Sequence, residues 1–379
     1  MSITRRVLEE LKTQRQRRLE GKFNAIPFNL PRFSKVLPGI EQGRYYIVTA
    51  ASKCGKSQLC DYLFVYNPVE WILSNPLAGV KLKIFYFTLE MTKEEKIRQL
   101  MSYYLYKKHN VLISPVKLQS KFEYILEEQK IKDIESDLKF FDDLENIVTY
   151  SKISNPYGVF KELRTYAHAH GHYVDKAGNK LDTKKIETGD PGEVFKIDRY
   201  IPDNPDEYVI SVFDHASLAT PEKDKDTGEI MNQHQTMTKL SKHFMNVRDR
   251  WNYIPVLVQQ QALEGEKQQF TYKGESIIQK LKPTHDGLAE NKTIGRDCNY
   301  MLGMFSPNRY GVKEYDGYDL TRLRDCHREL SVIFSRHSAG SQTVPLLFLG
   351  SSNYFEELPR VITEQDYTRI ENLQKQMKD

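Results

Sequence analysis

No part of this chain is apolar over the roughly 20 residues that a bilayer-spanning helix needs. Its opening stretch, residues 1–21, is charged throughout and has no apolar core of a secretory leader. A membrane-spanning helix and a signal segment are therefore not expected. Cysteine is scarce. Cys54, Cys60, Cys298 and Cys326 are the whole complement, and no two form a Cys-x-x-Cys pair. That excludes a disulfide framework and a thiolate zinc site, and it predicts reduced thiols in a cytoplasmic compartment. A dominant charge is missing as well: 55 Lys and Arg against 51 Asp and Glu leave a net charge of +4. Such a balance permits nucleic-acid binding without demanding it. There is no internal repeat and no low-complexity tract.

What remains is an ordinary globular composition, 39% hydrophobic and 28% charged over 379 residues. It is enough for one large core with an appendage. Residues 3–20 read as a helix with a short apolar stripe, Ile3, Val7, Leu8 and Leu11, too small to fold alone. Phe23 to Gly43 is broken by Pro27, Pro31, Pro38, Gly39 and Gly43, which reads as a linker or an irregular approach to a core that begins at Tyr45. The expected domains are thus an N-terminal helix over 1–22 and a second unit over 23–379.

Beyond that point strand-like and helix-like runs alternate. Apolar or β-branched runs lie at Tyr45–Thr49, Leu82–Leu89, Asn146–Tyr150, Tyr208–Phe213, Ile254–Val258, Tyr300–Phe305, Leu330–Phe334 and Val344–Leu349. Helical patterns lie at Lys56–Tyr66, Lys93–Lys108, Tyr157–His170 and Asn232–Trp251. The fold class predicted is α/β, with a mostly parallel sheet covered on both faces and an antiparallel late edge. Residues 171–207 interrupt the alternation with turn signals and prolines, and read as a hairpin-bearing insertion.

One stretch carries chemistry: Thr49-Ala-Ala-Ser-Lys-Cys-Gly-Lys-Ser57. It is close to the phosphate-loop pattern G-x-x-x-x-G-K-[ST], with Ala50 at the first glycine. The first glycine eases a backbone turn, so alanine is tolerable there if φ stays negative. A strand before it and a helix after it are the required context. In such a loop the backbone of Ser52, Lys53, Cys54, Gly55, Lys56, Ser57 and Gln58 cradles the phosphates of ATP. Lys56 neutralises the β and γ phosphates, and Ser57 ligates Mg2+. A second Mg2+ carboxylate is expected at a strand end, and Asp214 closes the run Tyr208-Val-Ile-Ser-Val-Phe-Asp214. Glu90 closes another strand and is free to act as the base for water, because Thr92 and Glu95 already form a capping box for the next helix. A third strand end carries amides, and Gln261 there can sense the γ phosphate. Two loops, Thr220–Gln235 with Lys223 and Lys225, and Glu264–His285 with Lys267, Phe270, Tyr272, Lys273, Lys280 and Lys282, offer cations beside aromatics for single-stranded nucleic acid. The triplet His168-Ala-His-Gly-His172 lacks a supporting Cys or acid at ligand spacing, so a role at a helix C-terminus is expected rather than a metal site.

The order of these parts resembles the RecA-like ATPase domain of DnaB-type replicative helicases, phage-encoded ones in particular. The resemblance spans about Leu37 to Phe355. It implies that Glu90, in Phe87-Thr-Leu-Glu-Met91, is the catalytic base, Asp214 the Walker B acid and Gln261 the third-motif glutamine. Leu288, Glu290, Ile294 and Asp297 match a further family stretch, from which Gly287, Ala289, Lys292 and Arg296 depart. Arg336, in Arg336-His-Ser-Ala-Gly340, matches the turn that offers an arginine finger to a neighbouring subunit, although only one strong cation is present there. The family's N-terminal collar does not form part of the match. The resemblance implies a hexameric ring of like copies moving on single-stranded DNA during replication, with primase or a loader as partner and the bacterial host cytoplasm as location. Two other readings share the features: a RecA-like recombination or remodelling ATPase, and a replication adaptor with a degenerate nucleotide site.

Overall fold

A computed structural model describes residues 3–21, 24–121, 123–224, 227–262, 271–272, 275–276, 281–336 and 343–378. Its centre is a nine-stranded sheet. In chain order the strands used below are β1 (Tyr46–Ala50), β2 (Lys81–Thr88), β3 (Val148–Ser151), β4 (Gly171–Val174), β5 (Arg199–Pro202), β6 (Glu207–Asp214), β7 (Ile254–Gln260), β8 (Tyr300–Phe305), β9 (His327–Ser335), β10 (Thr343–Leu349) and β11 (Tyr354–Glu357). The large sheet runs β11-β10-β9-β8-β1-β7-β6-β2-β3. From β8 to β3 all pairings are parallel, and β8 to β11 pair antiparallel.

The parallel strands are apolar on both faces because helices cover both. In β1 alternate residues divide between two cores. Tyr46, Val48 and Ala50 pack on one side with the residues of Lys56–Ser74 and Lys93–His109. Ile47, with Tyr45 just before the strand, packs on the other with Pro156–Ala169 and Gln233–Trp251. The first helical run is longer than its sequence pattern suggests, continuing through a wide turn at Tyr62–Tyr66 to Ser74. A third, smaller core lies under the antiparallel edge, where Tyr367, Ile370 and Leu373 of helix Glu364–Lys378 meet Leu347 and Leu349.

Residues 24–43 correct the linker reading. Ile26, Phe28, Leu30, Phe33, Leu37 and Ile40 are all buried in the first core, which therefore begins well before Tyr45. Ile26 and Ile40 exchange backbone hydrogen bonds of 3.0 and 2.8 Å. Glu357 of β11 accepts from the Arg32 and Phe33 amides at 2.8 and 2.9 Å. The prolines and glycines that break the sequence pattern shape a folded strap. Gly39 has φ 156°, and a side chain there would overlap the Ile26 carbonyl. The N-terminal helix, α1 (Ile3–Leu19), buries no residue and leaves Ile3, Val7, Leu8 and Leu11 exposed. It meets the rest of the chain through ion pairs Arg6–Asp198 and Arg17–Asp206 with the 171–207 excursion, whose two strands β4 and β5 form an antiparallel hairpin.

Phe33 is fully buried against Phe28, ring centroids 5.5 Å apart. Phe33→Ala is expected to cost about 3–5 kcal/mol through lost transfer energy and the cavity left behind. Urea unfolding reads this as a lower midpoint at unchanged slope. A loss below about 1 kcal/mol would mean the strap is not part of the core.

Candidate functional site

Parallel strands send their carboxyl ends to one edge of the sheet, and the chemistry-bearing residues gather there. Ala50 is the last residue of β1, buried, and paired with Gln260 and Met304. It sits in extended backbone, where no glycine is needed. The turn that follows uses Lys53 at φ 57° and Gly55 at φ 97° instead. Two left-handed residues so close together curl the amides of the loop inward, a shape that suits an anion. Gly55 then caps the helix Lys56–Asp61, and a Cβ on Gly55 would lie 3.1 Å from the Phe348 ring.

Lys56 and Ser57 open that helix, half-buried, at the end where unpaired N–H groups and the helix dipole favour negative charge. The Ser57 hydroxyl donates to Asp214 Oδ1 at 2.9 Å, and Asp214 is 4% exposed at the end of β6. A hydroxyl and a carboxylate side by side are hard oxygen donors, the set that Mg2+ takes. Glu90 follows β2 with its side chain half exposed, and the buried His215 ring lies 3.1 Å from it through Nε2. The capping box is formed as the sequence suggests. The Glu95 amide donates to Thr92 Oγ1 at 3.2 Å, and the Thr92 amide donates to Glu95 Oε2 at 2.7 Å. Gln261 follows β7, and its amide nitrogen donates to Thr49 Oγ1 at 3.0 Å and to the Thr284 carbonyl at 3.2 Å. The sheet thus brings Lys56, Ser57, Glu90, Asp214 and Gln261 to one edge. A cavity of about 210 Å³ beside the loop is lined by Ala51, Cys54, Gln261, Lys282, Phe305 and Tyr310.

Several residues at this site escape sequence reading. Arg328, 1% exposed, stacks over Phe348 and donates through Nε to the Cys54 carbonyl at 2.8 Å. Arg309 donates to the Ser52 carbonyl and lies 3.1 Å from Cys54 Sγ. The side chain of Gln58 turns toward the Gly350 carbonyl at 3.5 Å. Behind Asp214 is a buried ionic cluster. Lys96 Nζ lies 2.9 Å from Asp61 Oδ2, 2.8 Å from the Tyr86 hydroxyl and 3.5 Å from Asp214 Oδ2, and the Tyr86 hydroxyl donates to the same Asp214 oxygen at 3.0 Å. Burial alone would lower the Lys96 pKa, but Asp61 and Asp214 offset it and hold the ammonium above the ordinary lysine value. A signal for this cluster does exist in the sequence. Asp61 is a lone carboxylate among Leu59, Cys60, Tyr62 and Leu63. Lys96 stands in register with buried Leu100 and Tyr103 on one helix face.

Other expected positions fall elsewhere. Arg336 follows β9, whose register against β8 runs Tyr300↔Ser335 to Phe305↔Glu329. It is therefore at the edge opposite the loop, level with Tyr45 and about 17 Å of strand from Ala50 at about 3.3 Å per residue. Its guanidinium donates to the Cys298 carbonyl at 2.9 Å and to the Arg296 carbonyl. Lys223 is exposed and bridges Ile230 through its backbone. Lys282 is paired with Glu329 at 2.9 Å. Lys225, Lys267, Phe270, Lys273 and Lys280, and the side chain of Tyr272, lie outside the described residues, as do His337 and Gly340. His170 Nδ1 lies 2.8 Å from the Tyr166 carbonyl at the end of helix Pro156–Ala169, whereas His168 faces Glu187 and the Tyr173 hydroxyl of the 171–207 excursion. Among the described residues no His, Cys, Asp and Glu group is arranged to hold a metal through three such ligands. None of the described helices is long and apolar enough to cross a membrane.

No protein-family model and no curated protein matches the sequence. Solved structures do match the fold. One is described as an ATPase domain, with TM-score 0.63 and 14% identity over 94% of this chain and 99% of that one. Another is described as the structure of a DnaB-like replicative helicase and its interactions with primase, with TM-score 0.61 and 14% identity over 94% of this chain and 68% of that one. The chain therefore has the RecA-like α/β fold of DnaB-like replicative helicase ATPase domains.

Gly55→Ala forces a side chain into left-handed backbone against Phe348, and is expected to destabilise the protein by about 1–2 kcal/mol. Ala50→Gly, within a strand, should cost roughly 0.5–1 kcal/mol. Denaturant midpoints for the pair test the loop shape; a neutral Gly55→Ala would count against it.

Proposed function

We propose that this chain is the ATP-hydrolysing motor of a DnaB-type DNA helicase, working as a hexameric ring of like copies on single-stranded DNA. The observation that carries the reading is the 2.9 Å hydrogen bond from Ser57 to Asp214 at the mouth of the Lys53–Gly55 turn. It sets the loop's hydroxyl beside a strand-end acid, which supports the reading of a Mg-nucleotide site. The residues fit Mg2+ by donor type, and when bound there the ion supplies charge neutralisation on the phosphate oxygens.

The chain's own residues would then divide the work. The loop amides from Ser52 to Gln58 hold phosphate oxygens, and Lys56 neutralises the β and γ groups. Glu90 accepts the proton of the attacking water, and His215, 3.1 Å away, orients that carboxylate. Gln261 is tied to Thr49 and Thr284, so a change at the γ phosphate can reach the chain beyond it, where the candidate DNA-contacting segment Glu264–His285 lies. Arg336 cannot reach its own loop, which supports a finger role toward a neighbouring copy. The exposed stripe of α1 supports a part for residues 1–22 in assembly. A primase or loader is the partner class that follows, primase being named for one structural neighbour.

ATP hydrolysis measured with and without single-stranded DNA, followed by unwinding of a forked duplex, tests the reading. Lys56→Ala should abolish hydrolysis. Glu90→Gln should still bind ATP yet turn over slowly, because it removes the base and leaves the cradle. Wild-type turnover by Glu90→Gln would displace that carboxylate from the role of base.

The finger has its own signature. Arg336→Ala should retain ATP binding and lose about 10³-fold or more in rate. Mixed with Lys56→Ala copies it should regain activity, because its intact cradle can receive a neighbour's arginine. Mixed assemblies that form and stay inactive would rule out supply in trans.

A further inference from the structure

We infer that Lys96, anchored by Asp61 and acting partly through Tyr86, is a positioning residue for Asp214, setting which of its oxygens faces Ser57 and the metal. The inference rests on the nucleotide-site reading above.

The geometry is specific to one oxygen. Asp214 Oδ2 receives the Tyr86 hydroxyl at 3.0 Å and faces the Lys96 ammonium at 3.5 Å, while Oδ1 is left to Ser57 at 2.9 Å. A serine hydroxyl that gives a lone pair to a cation can still donate its proton to Oδ1. With Oδ2 held from behind, the carboxylate cannot rotate to exchange its oxygens. The ammonium has three protons, and Asp61, Tyr86 and Asp214 surround it. Asp61 is the anchor. It is 2% exposed, lies about one helical turn beyond Ser57 on the same helix, and brings the second negative charge that keeps Lys96 in place.

Stability alone does not call for this arrangement. Lys96 and Asp61 are each 2% exposed, and apolar residues of similar volume at such positions are often as stable as a buried ion pair or more so. What an apolar pair could not do is hold Asp214. Outer groups that orient a metal-binding side chain typically contribute about 10–100-fold in metal affinity or activity.

Two accounts of Lys96 predict opposite signs. Were the ammonium only a nearby positive charge, its removal would tighten cation binding. As a positioning group, its removal loosens it. The test uses the full chain with ADP and Mn2+ as the probe, reading bound Mn2+ by electron paramagnetic resonance and stability by thermal unfolding. Tyr86→Phe, which keeps the ion pair but breaks one tie to Asp214, should weaken Mn2+ severalfold. The double variant Lys96→Met with Asp61→Leu should unfold near the wild-type temperature yet bind Mn2+ on the order of tenfold more weakly. ADP binding without metal should be unchanged in both. Wild-type or tighter Mn2+ binding by the double variant overturns the inference and leaves Lys96 as a mere partner for Asp61. A wild-type chain that takes up no Mn2+ with ADP overturns the site reading itself, and this one with it.

Discussion

In a parallel sheet the carboxyl ends of neighbouring strands share an edge, and their relative heights are set by register. Here β1, β7, β6 and β2 lie side by side, with Ala50 opposite Gln260, Asp214 opposite Val258 and Thr88 opposite Asp214. A slip of one residue in β6 would turn Asp214 to the far face of the sheet, away from Ser57, Tyr86 and Lys96. What forbids the slip is burial on both faces. Ile210 and Val212 belong to one core, while Val209 and Phe213 belong to the other. A shift would place every one of them against the wrong helices. The candidate site is thus a consequence of two-sided packing, with the loop, the acids and the glutamine carried to a common edge.

The antiparallel half of the sheet does a different job. Arg328 leaves the start of β9 and holds the Cys54 carbonyl from below, and Phe348 of β10 limits what can stand at Gly55. Arg309, just after β8, reaches the Ser52 carbonyl and the Cys54 thiol. Cations directed at the backbone carbonyls of a loop leave its amides free to face the other way, toward anions. The loop's shape therefore depends on contacts from a part of the chain 255 residues or more further on.

Local features of this kind are legible in sequence only when their cause is local. The strand runs are, because a buried parallel strand must be apolar along its length, and each of the eight expected runs overlaps a strand of the large sheet. The loop and its helix are, because the Gly-Lys-Ser run stands directly between an apolar run and a helical pattern. Residues 24–43 are not: proline and glycine hide the fact that Ile26, Phe28 and Phe33 return to the core. The helices Glu128–Glu135 and Leu138–Ile147 drew no expectation either. Lys96 and Asp61 are 35 residues apart, and although each stands among apolar neighbours, nothing local pairs them until the fold closes them to 2.9 Å. The same holds for Arg328, whose partner is a carbonyl and so leaves no mark in sequence.

The strand β9 joins these themes. At one end Arg328 holds the Cys54 carbonyl of the Lys53–Gly55 turn, and at the other Arg336 sits at the opposite edge of the sheet. Its nine residues are hydrogen-bonded along their length, His327–Ser331 to β10 and Glu329–Ser335 to β8. Arg336 meanwhile donates to the carbonyls of Cys298 and Arg296, close to Asp297, which accepts a 2.7 Å hydrogen bond from Ser241. To serve a neighbour it must exchange those two neutral acceptors for phosphate oxygens, a trade that charge-assisted bonding favours. In the proposed finger role Arg336 would leave those carbonyls for a neighbour's nucleotide, and its place at the end of β9 would set where it emerges. On that proposal, supply in trans would need the release of one side chain and no rearrangement of the sheet.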